Sequence, residues 1–84
     1  MRSCFITFRS VTLAQRGENA LRRGGVDCVL QRTPRWMEEK GCGYCLRLHT
    51  REVESAVVLL REREIPFRKV YVQRDSGVIE EMRL

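Results

Sequence analysis

Two cysteines three positions apart stand in Gly41-Cys42-Gly43-Tyr44-Cys45, with glycine on both sides of the first. Those glycines carry no side chain to shield a sulfur, and they let backbone N–H groups turn inward as a small anion nest. Arg32, Arg35, Lys40 and Arg47 lie nearby in the sequence, and cations favour thiolate over thiol. A thiolate attacks a persulfide, a selenide donor or a disulfide, so Cys42 is the candidate nucleophile. Cys45 is open to two readings: a thiol that resolves a disulfide with Cys42, or half of a metal site.

Redox and metal readings of the pair each meet an objection. Thioredoxin-like motifs place the first cysteine at a helix N-terminus, whose dipole lowers the thiol pKa. Here Tyr44, Leu46 and Leu48 alternate with Cys45 and Arg47, so a strand follows. A zinc site needs about four ligands. Cys4, Cys28, Cys42, Cys45 and His49 provide only one close pair, and no metal is expected. Cys28 shares a strand face with Val26 and Leu30 and reads as a packed core thiol, as does Cys4 within Cys4-Phe5-Ile6-Thr7-Phe8. His49 reads as a surface or loop histidine. No phosphate loop, paired acids or serine–histidine–acid spacing is present. Trp36 is open between an anchor for a partner and simple packing on the sheet end.

The elements that position these residues follow from periodicity. Cys4 to Phe8 reads as a first strand. Thr12 with Gln15 resembles a capping box, opening a helix with Leu13, Ala14, Gly17, Ala20 and Leu21 on one stripe. Gly24-Gly25 ends it. Val26 to Thr33 is a second strand, stopped by Pro34, and residues 34–43 are a connection in which 37–40 could form a helical turn. After the third strand, Thr50 is the expected N-cap of a second helix with Val53, Ala56, Val57 and Leu60 inward. Ile65-Pro66 closes that helix, and Phe67 to Gln73 alternates as a fourth strand. Asp75-Ser76-Gly77 is a turn signal. The last seven residues are open between a helical turn, an added strand and a dimer contact.

The order β-α-β-β-α-β favours an α+β, ferredoxin-like two-layer sandwich of four antiparallel strands with two helices on one face. Residues 1–74 form a single domain and 75–84 a short C-terminal extension. The sequence-based expectation makes strands one and three parallel neighbours, so that Cys4 and Cys45 begin at one end. The Cys42 loop then lies where both helices finish, near Arg22 and Arg23.

The 84 residues allow one core, and 43% apolar with 32% charged residues suits a folded domain. No signal or membrane segment is legible, since the apolar run after Met1 and Arg2 is short and meets Arg9. The expected compartment is therefore the cytosol, where thiols stay reduced. The net charge of +5 could attract nucleic acid or an acidic protein. Runs such as Arg61-Glu62-Arg63-Glu64 read instead as solvated helix faces, and no interleaved aromatic motif for RNA stands out. Nucleic acid is thus the less favoured partner, and a homodimer is an open option.

Several segments together resemble a known family. These are the strand ending in Thr7-Phe8, the helix with Ala14 and Glu18-Asn19-Ala20-Leu21, Gly25-Val26 leading into strand two, Thr33-Pro34-Arg35, and Cys42-Gly43 before an apolar strand ending near Arg47. Across roughly residues 4–73 the chain resembles the small selenium/sulfur carrier-like proteins. The resemblance implies a compact α/β domain whose Cys-Gly cysteine, here Cys42, holds sulfur or selenium as a persulfide or perselenide. It implies a carrier more than a stand-alone enzyme, with no cofactor beyond the covalently held chalcogen. The partners would be a cysteine desulfurase-like donor and an acceptor enzyme. Gly41, Gly43, Arg32, Arg35 and Arg47 are the expected binding residues around Cys42. Cys45 departs from the family pattern and is expected to be a resolving or auxiliary thiol. The competing expectations are a ferredoxin-like binding or regulatory module and a cysteine-based metal-binding domain.

Overall fold

The structure, a computed structural model, describes residues 2–35, 43–74 and 76–83. Along the chain run β1 (Ser3–Thr7), α1 (Val11–Arg23), β2 (Cys28–Arg32), β3 (Tyr44–His49), a 3₁₀ turn (Thr50–Glu52), α2 (Val53–Glu62), β4 (Val70–Gln73) and β5 (Ile79–Met82). Trp36, Asp75 and the helical turn considered for 37–40 lie outside the described residues.

The five strands form one antiparallel sheet in the order β2-β3-β1-β4-β5. Among the described residues this gives an α+β fold with two helices and five strands rather than the expected four. The added strand is residues 79–82, which return along β4 after a turn closed by Arg74 N–H to Val78 O at 2.7 Å and Gly77 N–H to Arg74 O at 2.9 Å. Gly77 takes φ +88°, open to glycine at no steric cost.

The expected parallel pairing of strands one and three is incorrect: β1 and β3 are antiparallel, with Cys4 opposite Leu48 and Thr7 opposite Cys45. The reason is chain direction. The α1 crossover leaves β1 and β2 running the same way, and β3, which reverses directly from β2, is inserted between them antiparallel to both. Thr33 and Gly43, the described ends of the β2–β3 connection, therefore lie at the end where β1 finishes, α1 starts and α2 finishes. Arg22, at the last turn of α1, lies at the opposite end, where its guanidinium donates to the Cys28 carbonyl at 3.0 Å.

Both helices bury their expected stripes: Ala14, Gly17, Ala20 and Leu21 from α1, and Val53, Ala56, Val57 and Leu60 from α2. They cover Cys4, Ile6, Phe8, Leu46 and Val70 of the sheet. Gly17 allows close approach, since a Cβ there would stand 2.9 Å from the Phe8 ring. The start of α1 is Ser10 rather than Thr12: its hydroxyl accepts from Leu13 N–H at 3.1 Å, satisfying one orphan donor of the first turn. Thr50 does not cap α2 either. It opens the 3₁₀ turn, its hydroxyl oxygen is buried without a hydrogen-bond partner among the described residues, and His49 Nδ1 accepts from Arg51 N–H instead.

Both helices end in the same pair of backbone bonds. Val26 N–H reaches Leu21 O and Gly25 N–H reaches Arg22 O after α1; Ile65 N–H reaches Leu60 O and Glu64 N–H reaches Arg61 O after α2. This Schellman arrangement needs a left-handed residue, which is Gly25 at φ +85° in one and Glu64 at φ +55° in the other.

The fourth strand begins at Val70 and not at Phe67. Thr7 N–H donates to Lys69 O, whereas Thr7 O accepts from Arg68 N–H, so two residues oppose one as in a β-bulge. The extra residue explains why Phe67 and Val70, an odd number apart, both pack into the helix-side core. The other sheet face carries a second small cluster of Phe5, Cys45 and Tyr71, against which Ile79 packs.

Candidate functional site

The described residues fix the base of the loop that leads to Cys42. Arg32 stands opposite Tyr44, and beyond this last ladder pair Thr33 N–H donates to Gly43 O at 2.8 Å. Gly43 is buried at φ +81°, a conformation that a side chain resists. The connection 34–42 thus springs from a closed pair of chain ends, and Cys42 is bonded to the pinned Gly43. Gly41 and Cys42 themselves lie outside the described residues.

Around this base the three expected arginines separate. The Arg32 guanidinium sits over the Tyr44 ring, 5.6 Å from its centroid, within cation–π range. Arg35 is exposed at the start of the connection. Arg47 is also exposed, but stands three residues further along β3, opposite Phe5 and Val29, about 10 Å toward the other end at roughly 3.3 Å per residue. Two further cations reach the loop end because the topology brings them there. Arg9 follows Phe8 just past β1, and Arg68 sits in the bulge bonded to Thr7. Neither has a carboxylate partner among the described residues, and nor do Arg32 and Arg35. Their sequence positions, 9 and 68, give no sign of this convergence; only the β1–β4 pairing supplies it.

The three described thiols do not share one end. Cys45 lies at the loop end, opposite Thr7 and Gln31, fully buried on the face that carries Phe5 and Tyr71. Cys4 and Cys28 lie toward the other end, on either side of Leu48 and on the helix-covered face. Burial pushes the Cys4 thiol up to about 12. Burial also raises Cys28, opposed by its hydrogen bond to Arg22. Both stay protonated at neutral pH, and a protonated, buried thiol is neither nucleophile nor metal ligand. Among the described residues, no group of three or more His, Cys, Asp or Glu side chains gathers in a way that could hold a metal ion. Among the described residues no helix is long and apolar enough to cross a membrane.

Fold and loop together define a small α+β domain in which a Cys-Gly step closes the connection between two neighbouring strands. The chain belongs to the family described as "Putative Se/S carrier protein-like", which it matches over residues 3–72. No curated protein and no solved structure matches it.

Proposed function

We propose that this protein carries a single sulfur or selenium atom on Cys42 and hands it to an acceptor. The observation that carries the reading is the family match, which spans the Cys42-Gly43 step. The pinned Gly43 supports it, as do Arg9, Arg32, Arg35 and Arg68 at that end, which have no carboxylate partner among the described residues, because cations lower the cost of a thiolate or persulfide anion. We read the first four strands, in the order β2-β3-β1-β4, as a ferredoxin-like sandwich to which β5 is added.

Loading is a sulfur exchange. The Cys42 thiolate attacks the outer sulfur of a donor persulfide; a new S–S bond forms, the donor's S–S bond breaks, and the donor leaves as a thiolate. Release reverses this with the acceptor nucleophile attacking the outer sulfur, which regenerates the Cys42 thiolate. Neither step needs an external oxidant. Selenium transfer follows the same balance. Cys45, at 0% exposure, would need β3 to open before it could resolve a Cys42 persulfide, so the acceptor is taken to come from outside the chain. The donor would be a cysteine desulfurase-like enzyme, the acceptor an enzyme, and the setting a reducing compartment such as the cytosol.

Intact-protein mass after incubation with a persulfide donor tests this reading. Wild type and Cys45→Ser each gain one chalcogen atom, removed by reductant, and Cys42→Ser gains none. Loading of Cys42→Ser to the wild-type level would remove the assignment.

A further inference from the structure

A second feature at the loop end is independent of any sulfur. Between the last turn of α2 and the β4–β5 hairpin lies a cleft of about 550 Å³, within the size range of small-ligand sites, roughly 300–1,000 Å³. Its charged lining is Arg61, Arg68, Lys69 and Arg83 against the single acid Glu81. Lys69 pairs with that acid at 3.7 Å. Arg61, Arg68 and Arg83 have no carboxylate partner among the described residues. Three arginines with no carboxylate partner among the described residues thus line one concavity.

Three separate backbone devices place them there. Arg61 occupies the final turn of α2, Arg68 is the extra residue of the bulge opposite Thr7, and Arg83 follows the end of β5. Phe67 and Met82 supply the apolar wall, and both are anchored in the helix-side core. Two arginines elsewhere are engaged by acids: Arg22 with Glu18 at 3.2 Å, and Arg74 with Glu80 at 3.0 Å.

We propose that this cleft binds the oxyanion group, phosphate or carboxylate, of a small ligand through Arg61, Arg68 and Arg83. Guanidinium groups present several fixed N–H donors and hold oxyanions in bidentate fashion, a geometry that a lysine does not reproduce. An extended nucleic acid is less favoured, because Phe5, Phe8 and Tyr71 are buried, Tyr44 lies beneath Arg32, and Phe67 is packed against the helix-side core.

The test follows arginine side-chain N–H signals by NMR while inorganic phosphate or acetate is added at constant ionic strength. Saturable shifts at Arg61, Arg68 and Arg83 are expected with at least one of the two anions, and the stronger one identifies the preferred group. In Arg68→Gln and Arg83→Gln the titration weakens at least about tenfold, whereas Arg16→Gln on α1 titrates as wild type. Retained amide dispersion establishes that each variant is folded. Linear shifts spread over all arginines, or full titration of the folded Arg68→Gln/Arg83→Gln double variant, would overturn the site. Binding of a single-stranded oligonucleotide with no saturation by either small anion would overturn it too. Cys42→Ser titrates as wild type, so loss of the carrier reading leaves this result standing, and the reverse holds as well.

Discussion

The two ends of the sheet are built from the same strands but differ in chemistry. At the end where β1 starts, the left-handed turn after α1 falls on Gly25, Arg22 is held by both Glu18 and the Cys28 carbonyl, and Cys4 and Cys28 flank Leu48 beneath the helices. At the end where β1 finishes, the left-handed residues are Gly43 and Glu64, a bulge precedes β4, and Arg9, Arg32, Arg35 and Arg68 lack carboxylate partners among the described residues. One end is arranged for stability. The other holds a left-handed non-glycine residue, Glu64, and arginines without a carboxylate partner among the described residues.

The largest predicted effect probes the closed end. Cys4 sits near 12 folded against an ordinary thiol value of 9.0, so between these values the unfolded chain loses a proton that the folded chain keeps. Stability is fully present below pH 9 and falls above it, by about 1.4 kcal/mol per pH unit from this thiol alone. Urea unfolding at pH 8, 10 and 11 measures the slope, and Cys4→Val should flatten it. An unchanged slope in the variant would assign the loss to other groups.

Next in size, Gly43→Ala should cost about 1–2 kcal/mol, because alanine at φ +81° is strained whatever its surroundings. Thermal unfolding reads this directly, and an unchanged midpoint would mean that the loop base is not pinned. The comparison sharpens with two reciprocal substitutions at the helix ends. Glu64→Gly should raise stability by about 1 kcal/mol, and Gly25→Ala should lower it by a similar amount. If Glu64→Gly destabilises, its side chain is doing more than tolerating the turn.

The smallest effects separate the arginines. Arg22→Ala loses a hydrogen bond to a buried-strand carbonyl and an i,i+4 ion pair, about 1 kcal/mol together. Arg32→Ala and Arg35→Ala, exposed and without a carboxylate partner among the described residues, should change stability by less than about 0.5 kcal/mol. Denaturant midpoints compare the three. A large loss at Arg35 would argue against a charge kept for binding.

Much of the fold was legible because periodicity reports burial directly. The α1 and α2 stripes, the strand at Tyr44 to His49, and Cys4 and Cys28 as packed thiols could all be read from apolar spacing. Short-range competition hid other features. Ser10 and Thr12 are both chemically fit to cap α1, and only the position of the first turn selects Ser10. The bulge at Arg68 and Lys69 leaves no mark in a segment that alternates cleanly on paper. Ile79–Met82 was too short and too acidic to distinguish as a strand until β4 offered an edge.

The candidate site divides in the same way. Sequence by itself singled out Cys42, its glycine neighbours and the family to which the chain belongs, because residue type and local spacing carry that information. Tertiary structure alone decided which charges meet at the loop end. Arg9 and Arg68 are brought there, and Arg47 and Arg22 are carried away, by the antiparallel direction of β3 and the position of β1 between β3 and β4. Strand direction follows from how hairpin and crossover connections can close around one core, a property of the whole chain that no short stretch encodes.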